Sequence, residues 1–413
     1  MAPGRRPARA AAFAFYAIAA LRAASPAAAA PSAGAARAAP PPAPSARAVA
    51  VMEFARGEIL YARDADLAIS PASLTKVMTM HLALKAAEEG RVGLDQVFEI
   101  ERRDVAQPYG SSLMYLKAGM RVPFRDLVLG MAVMSGNDAA SAVARLLAGS
   151  GSDFAALMNR EAAALGLAAT RFVEPTGLSH ENLSSARDMA ILAREYILAH
   201  PGALAAYHAR TSMEFPRAEV MPPGEPPPAG RILLRNRNGL IFSYPGADGL
   251  KTGFIRESGS HLIATAEREG TRFIVVLLGG SQGGPALRRE ARAILDWAFG
   301  NYKTITPPAP ELPSPRLWGG REERLALAIE GAGPVTVPRP AGDGLEARLS
   351  LPDELEAPVA RGTRVGELSY LRNGETVLRL PVVAAREGEL GSPWRRIRDW
   401  FARLFAKVFK ARA

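Results

Sequence analysis

From Ala48 onward, apolar and polar residues alternate in short runs that predict secondary structure. Val49-Ala-Val-Met-Glu-Phe54 and Glu58-Ile-Leu-Tyr61 read as two strands around the turn Arg56-Gly57. The period then changes to helical. Ser70 suits an N-cap, Pro71 a first helical position, and Val77, Met80, Leu82, Ala83 and Leu84 keep an apolar stripe until Gly90 stops it. Further helices are predicted from Pro123 to about Val133, from Asp138 to Leu147, from Asp153 (as N-cap) to Leu165, and from Ser185 to Ala199. A proline-dense loop, Met221 to Gly230, separates these from strands at Ile232-Leu-Leu234, Gly249 to Gly253, Ser260 to Ala266 and Arg272 to Leu278, and from a helix spanning Pro285 to Phe299. Strands, then helices, then strands and a helix point to one antiparallel sheet assembled from both ends of a domain, with helices packed against it: an α+β fold.

The pattern changes character at both ends. Before Ala48, Arg5, Arg6 and Arg9 precede an apolar stretch from Ala10 to Leu21 and a small-residue zone at Ala27 to Ala30, which reads as a signal peptide over residues 1–30. An Ala/Pro-rich linker follows over 31–47. The main domain covers 48–303 and a Pro-rich linker 304–316. Residues 317–390 then show short strand candidates separated by Gly, Pro and Asp turns, as in a small β-sandwich. The last segment, 391–413, returns to a helical period. Trp394, Ile397, Phe401, Leu404, Phe405 and Val408 share one face while Arg and Lys occupy the other. Arg403 and Lys407 keep such a helix from spanning a bilayer, and an aromatic face opposite a basic one suits the headgroup plane of an anionic membrane, contacted through residues 394–413.

Composition narrows the chemistry. The 413 residues carry a net charge of +10. Seven arginines and lysines against a single aspartate follow Trp394, so part of the excess belongs to the terminal helix. No zinc finger, basic zipper or aromatic RNA-binding motif accompanies the charge, and the anionic partner expected is a membrane, with no nucleic acid. The absence of cysteine excludes disulfides, thiol nucleophiles and Cys-ligated metals. The five histidines form no ligand spacing, and no metal or other cofactor is expected.

Against that background, Ser73 and Lys76 stand out. Residues three apart on a helix are neighbours, so an amine can reach a hydroxyl and take its proton during attack on a carbonyl, provided burial keeps that amine neutral. Ser135-Gly-Asn137, between two helices, offers a second hydroxyl and a carboxamide. Lys251-Thr252-Gly253, on a strand, offers a cation and a hydroxyl for a carboxylate and an edge for an extended peptide, and Gly253 permits close backbone approach. Each motif alone is ordinary.

Together and in this order, Ser73-x-x-Lys76, Ser135-x-Asn137 and Lys251-Thr-Gly253 resemble the penicillin-binding protein and serine β-lactamase superfamily. Pro71-Ala-Ser-Leu-Thr-Lys76, Gly110-Ser-Ser-Leu-Met114, Met134-Ser-Gly-Asn-Asp-Ala139, Ser185-Ala-Arg-Asp-Met-Ala190 and Asp248-Gly-Leu-Lys-Thr-Gly253 bring the chain closest to the low-molecular-mass D-alanyl-D-alanine carboxypeptidases. The resemblance implies a β-lactamase/transpeptidase-like domain, a β-rich second domain and a terminal anchor helix in an exported periplasmic protein, attached to the outer face of the cytoplasmic membrane. It implies that Ser73 is acylated by a peptidoglycan stem peptide, that Lys76 is the base, and that Ser135 and Lys251 pass a proton to the leaving amine. Asn137 would hold the substrate amide, Thr252 and Gly253 would bind substrate, and the backbone N–H groups of Ser73 and Phe254 would form an oxyanion hole. β-Lactams would acylate the same serine.

Two departures accompany the match. Phe254-Ile255 stand where relatives carry small polar residues, and the glycine-rich Gly279 to Pro285 shifts the spacing to the arginine that helps bind the terminal carboxylate, for which Arg288 is the candidate. Rival readings are weaker. Gly279-Gly-Ser-Gln-Gly283 has the form of a hydrolase nucleophile elbow, but no histidine follows His261 to serve Ser281. A β-lactamase of the commonest class needs a loop glutamate followed by Leu-Asn, whereas Glu174-Pro-Thr-Gly-Leu178 leads to Ser179. A catalytically silent peptidoglycan-binding scaffold is the third alternative.

Overall fold

A computed structural model describes residues 40–226, 229–339 and 344–410, the last seven of these as helix only. The expected signal peptide and most of the Ala/Pro-rich linker lie outside the described residues. Strands β1 (Ala48–Glu53) and β2 (Ile59–Arg63) form the expected hairpin. A helical region follows: α1 (Lys76–Glu88), the β3 (Val97–Glu99) to β4 (Arg121–Pro123) ladder flanking the short α2 (Arg102–Val105), then α3 (Phe124–Val133), α4 (Asn137–Ala148), α5 (Gly151–Ala164) and α6 (Ala186–Ala199). The small ladder of β5 (Ser212–Glu214) with β6 (Leu233–Arg235) brackets the proline-dense loop. Three long strands, β7 (Ala247–Ile255), β8 (Gly259–Arg268) and β9 (Thr271–Gly280), and helix α7 (Gly284–Asn301) complete the unit.

The sheet runs β2-β1-β9-β8-β7, antiparallel throughout, which leaves β7 at an edge. Alternate residues of each inner strand enter different cores. Ala48, Ala50, Met52, Ile263, Ile274, Val276 and Leu278 pack with α1 and α6, while Val49, Val51, Leu262, Ala264, Val275 and Leu277 pack with α7. Both faces are therefore covered, which is why β9 reads Phe-Ile-Val-Val-Leu-Leu instead of alternating with polar residues.

Strand β10 (Tyr302–Ile305) leads from α7 into the C-terminal region, which holds β11 (Arg316–Trp318), β12 (Leu327–Ile329), β13 (Val335–Pro338), β14 (Glu346–Ser350), β15 (Glu354–Glu356), β16 (Arg364–Arg372) and β17 (Glu375–Ala384). β12-β17-β16-β14 make a four-stranded sheet, β11 pairs with β15, and β10 with β13. The two units are joined by more than the chain: Thr336 donates to Glu53 at 2.7 Å, and the Arg56 guanidinium donates to the Gly331 carbonyl. Helix α8 (Pro393–Lys410) closes the chain against β11, where the buried Asp399 accepts from the Gly319 N–H at 3.1 Å. Trp394, Ile397, Trp400 and Phe401 are exposed. Among the described residues, no helix is long and apolar enough to cross a membrane.

Two local expectations change. Helix α5 is capped by Ser150, whose hydroxyl accepts from Asp153, so Asp153 sits inside the first turn. The segment before α1 is a separate 3₁₀ turn, Ala72–Thr75, with Pro71 at its N-cap and no side-chain cap; the Ser70 hydroxyl is buried without a partner. Ala72 adopts φ +50°, which prevents α1 from starting at Pro71.

Candidate active site

That 3₁₀ turn positions the first pair. Side chains three apart nearly eclipse in a 3₁₀ turn, and the Lys76 amine lies 3.1 Å from the Ser73 hydroxyl. Backbones from three segments converge on this point. A Cβ on Gly177 would lie 1.9 Å from the Ala72 carbonyl oxygen, and one on Gly253 would lie 3.0 Å from the Pro71 oxygen and 3.1 Å from the Ser73 nitrogen. Gly177, at φ +81°, can be nothing but glycine here, and Gly253 lets the edge strand β7 press against the turn that carries Ser73.

Lys76 is fully buried, and its other two partners are oxygens that only accept: Asn137 Oδ1 at 2.6 Å and the Thr176 carbonyl. A neutral amine has two N–H groups and one lone pair. Two carbonyl-type acceptors occupy the N–H groups, and the lone pair is left facing the hydroxyl of Ser73. Burial favours that neutral form, lowering the Lys76 pKa to about 7; Glu174 and Asp138 oppose the shift by their negative charge, and Arg237 adds to it.

Asn137 opens α4, and its backbone N–H donates to the Ser112 carbonyl at 2.7 Å. Next to it, the buried Asp138 carboxylate accepts from the Met114 and Leu116 N–H groups, both at 3.0 Å. The Gly110 to Met114 loop is thereby tied to the helix that presents Asn137. Burial raises the Asp138 pKa despite these hydrogen bonds. Ser135, two residues before Asn137, takes φ +59° in the turn between α3 and α4 and accepts from the Lys251 amine at 2.8 Å.

Lys251 also donates to the Thr252 carbonyl at 2.9 Å. It is buried on the sheet's edge strand, and burial, Lys76 and Arg237 together push its pKa well below the ordinary lysine value. Behind the strand, His208 Nδ1 donates to the Leu250 carbonyl at 3.0 Å and its Nε2 accepts from the Tyr196 hydroxyl at 2.8 Å; burial lowers the His208 pKa to about 4, so it stays neutral. Phe254, next along β7, is 65% exposed at the mouth.

Of the residues picked from sequence, Ser73, Lys76, Ser135, Asn137, Lys251 and the Thr252-Gly253 backbone come together. Arg288, on α7, has its guanidinium against the backbone of Gly239, two residues beyond Arg237. The cation that acts on both amines is Arg237, which sequence reading missed; it donates to the Ser112 hydroxyl at 2.6 Å and its backbone N–H donates to the Val133 carbonyl at 3.1 Å. Its signal was the turn-rich Asn236-Arg-Asn-Gly239 just ahead of the Lys251 strand. The Thr176 carbonyl was also missed, because a backbone acceptor has no residue signature.

Comparison with known proteins shows the family. Residues 35–282 match the D-alanyl-D-alanine carboxypeptidase family, and residues 311–389 match the C-terminal domain of penicillin-binding protein 5. The chain is 33% identical over 378 residues to D-alanyl-D-alanine carboxypeptidase DacC of Escherichia coli, covering 89% of this chain and 90% of that protein. To DacF of Bacillus subtilis it is 30% identical over 352 residues, covering 84% and 86%. The crystal structure of penicillin binding protein 5 from Haemophilus influenzae superposes with a TM-score of 0.73 at 29% identity, over 86% of this chain and all of that one.

Proposed function

The chain belongs to the D-alanyl-D-alanine carboxypeptidase family of serine peptidases, and from that premise we propose that Ser73 is the residue acylated and Lys76 the base that activates it. The enzyme removes the terminal D-Ala from a peptide ending in D-Ala-D-Ala through an acyl-enzyme, and penicillin inhibits it covalently by acylating it. The observation that carries the assignment of Ser73 is the Lys76 amine, buried, shifted to about 7, and held by two acceptors so that its lone pair faces the serine.

In acylation, Ser73 Oγ attacks the penultimate D-Ala carbonyl carbon as its proton passes to Lys76 Nζ. Charge developing on the carbonyl oxygen is met by the backbone N–H groups of Ser73 and Phe254, donors that contribute roughly 3 kcal/mol each in comparable sites. The C–N bond breaks as the leaving amine takes the Ser135 proton, and the proton that Lys76 took from Ser73 is passed back to Ser135 by way of the Lys251 amine, 2.8 Å from its hydroxyl, so that both amines end the step neutral. Water then attacks the ester, giving a proton to the neutral Lys76 amine, which returns it to Ser73 Oγ as the C–O bond breaks and the shortened peptide leaves. Asn137 holds the substrate amide, and the Lys251-Thr-Gly253 edge receives the extended peptide end as an added strand.

The natural substrate in this reading is the peptidoglycan stem pentapeptide, met by an exported enzyme on the periplasmic side of the cytoplasmic membrane. Exposed Trp394, Ile397, Trp400 and Phe401 beside the basic residues of α8 support attachment to an anionic membrane surface. Intact-protein and product mass spectrometry with a stem pentapeptide tests the catalytic assignment: loss of one D-Ala with wild type and none with Ser73→Ala is the expected result. Equal turnover by Ser73→Ala sinks it, and rapid release of hydrolysed penicillin from wild type moves the reading to a β-lactamase.

A further inference from the structure

Glu174 lies on the loop between α5 and α6, and its half-buried carboxylate has five donors pointed at it. Oε2 accepts from the Thr176 N–H at 2.6 Å and the Thr176 hydroxyl at 2.5 Å. Oε1 accepts from the Gly177 N–H at 2.7 Å, the Ser179 N–H at 3.3 Å and the Asn182 carboxamide at 2.7 Å. One side chain thus gathers residues 176–179 into a tight turn. The turn is pinned from outside by Thr79, whose hydroxyl donates to the Pro175 carbonyl at 2.7 Å, and by the Gly177 backbone pressed against Ala72. The Thr176 carbonyl of this turn accepts from the Lys76 amine.

We propose that Glu174 is a positioning residue for the acyl transfer: its carboxylate folds this turn so that the Thr176 carbonyl occupies one N–H of the Lys76 amine and leaves the lone pair to Ser73. The inference rests on Lys76 being the base. Without the Thr176 acceptor, the amine is held by Asn137 alone and rotates, so its lone pair faces Ser73 only part of the time. Glu174 has a second effect through space. The charged groups acting on Lys76 are Glu174 on this loop, Asp138 on α4 and Arg237 ahead of β7, while the Lys251 amine on β7 in turn feels Lys76; the two carboxylates hold the proton affinity of Lys76 up against burial and Arg237.

Two variants separate these effects. Glu174→Asp keeps the charge but is one methylene short, so it cannot serve both sets of donors. Glu174→Gln keeps the length, removes the charge, and turns an NH₂ toward the Thr176 N–H. The measurement is the second-order rate of acylation by a fluorescent penicillin against pH, on full-length protein whose cooperative melting and labelling stoichiometry are recorded alongside. Both variants should label to completion but roughly ten- to a hundredfold more slowly, the scale of a misplaced reactive group. The acid limb should move to lower pH in Glu174→Gln and stay near the wild-type position in Glu174→Asp. A stably folded Glu174→Gln that is acylated at the wild-type rate overturns the proposal. If that variant does not fold, a wild-type rate in Glu174→Asp overturns it equally. Lys76→Arg keeps the two failures apart: rapid acylation of that protein would refute Lys76 as the base, whatever Glu174 does.

Discussion

Two parts of this chain handle positive charge in opposite ways. In the cleft, Lys76 and Lys251 are fully buried and bonded to neutral groups: Ser73, Asn137, Ser135 and two backbone carbonyls. On α8, Arg403 is partly exposed and faces the carboxylates of Glu354 and Glu356, and Arg398 faces Asp399 and Glu323. Carboxylate partners and water keep a cation charged. Neutral partners and burial favour the uncharged form of the same kind of side chain, which is what the role proposed for Lys76 requires.

The sharpest way to break that comparison is to make the buried cation permanent. Lys76→Arg installs a group that cannot deprotonate, and acylation by a labelled penicillin should fall by about 10²–10⁴, the range for losing a positioned general base. A retained rate would mean the neutral amine is not needed. In wild type, the acylation rate should rise with pH through about 7 as Lys76 loses its proton.

Arg237→Ala is gentler. It removes a cation that lowers both amine pKa values, so the acid limb of acylation should move to higher pH, with a several-fold loss at neutral pH read by stopped flow. An unmoved limb would place the guanidinium outside the site's electrostatics.

Stability offers a third comparison. The folded pKa of Lys76 is about 7 against an ordinary value of 10.5, so between those pH values the unfolded chain binds the extra proton. By linkage, the penalty for burying this amine is largest below pH 7 and fades as pH rises toward 10.5. Lys76→Met, inactive, should therefore melt at a higher temperature than wild type at neutral pH, with a gap that narrows in alkaline buffer.

The smallest catalytic effect belongs to α8. Trp394→Ser with Trp400→Ser should leave penicillin acylation unchanged and weaken sedimentation with anionic vesicles, since it removes apolar area and leaves the arginines. Loss of acylation in that variant would show that the two regions are not independent.

Much of the framework was readable in the residues. Strands β7, β8 and β9 and helices α3, α4, α6 and α7 fall close to the hydrophobic periods that announced them, because each buries a continuous apolar face. The 3₁₀ turn at Ser73 reads in sequence as the first turn of α1, since Ser70 and Pro71 are good helix-start residues and nothing local reveals the positive φ of Ala72. The small strands β3, β5, β11 and β15 were invisible, each being a three-residue pairing chosen by its partner.

By itself, the sequence determined which chemical groups exist and their local spacing: a hydroxyl three residues before an amine, a Ser-x-Asn turn, and a Lys-Thr-Gly strand. The tertiary structure decided what those groups are able to do. Lys76 meets Asn137 from 61 residues away and Thr176 from 100, and Lys251 meets Ser135 from 116. A lysine's proton affinity is set by the water it loses and the charges around it, and both come from segments that only folding brings together.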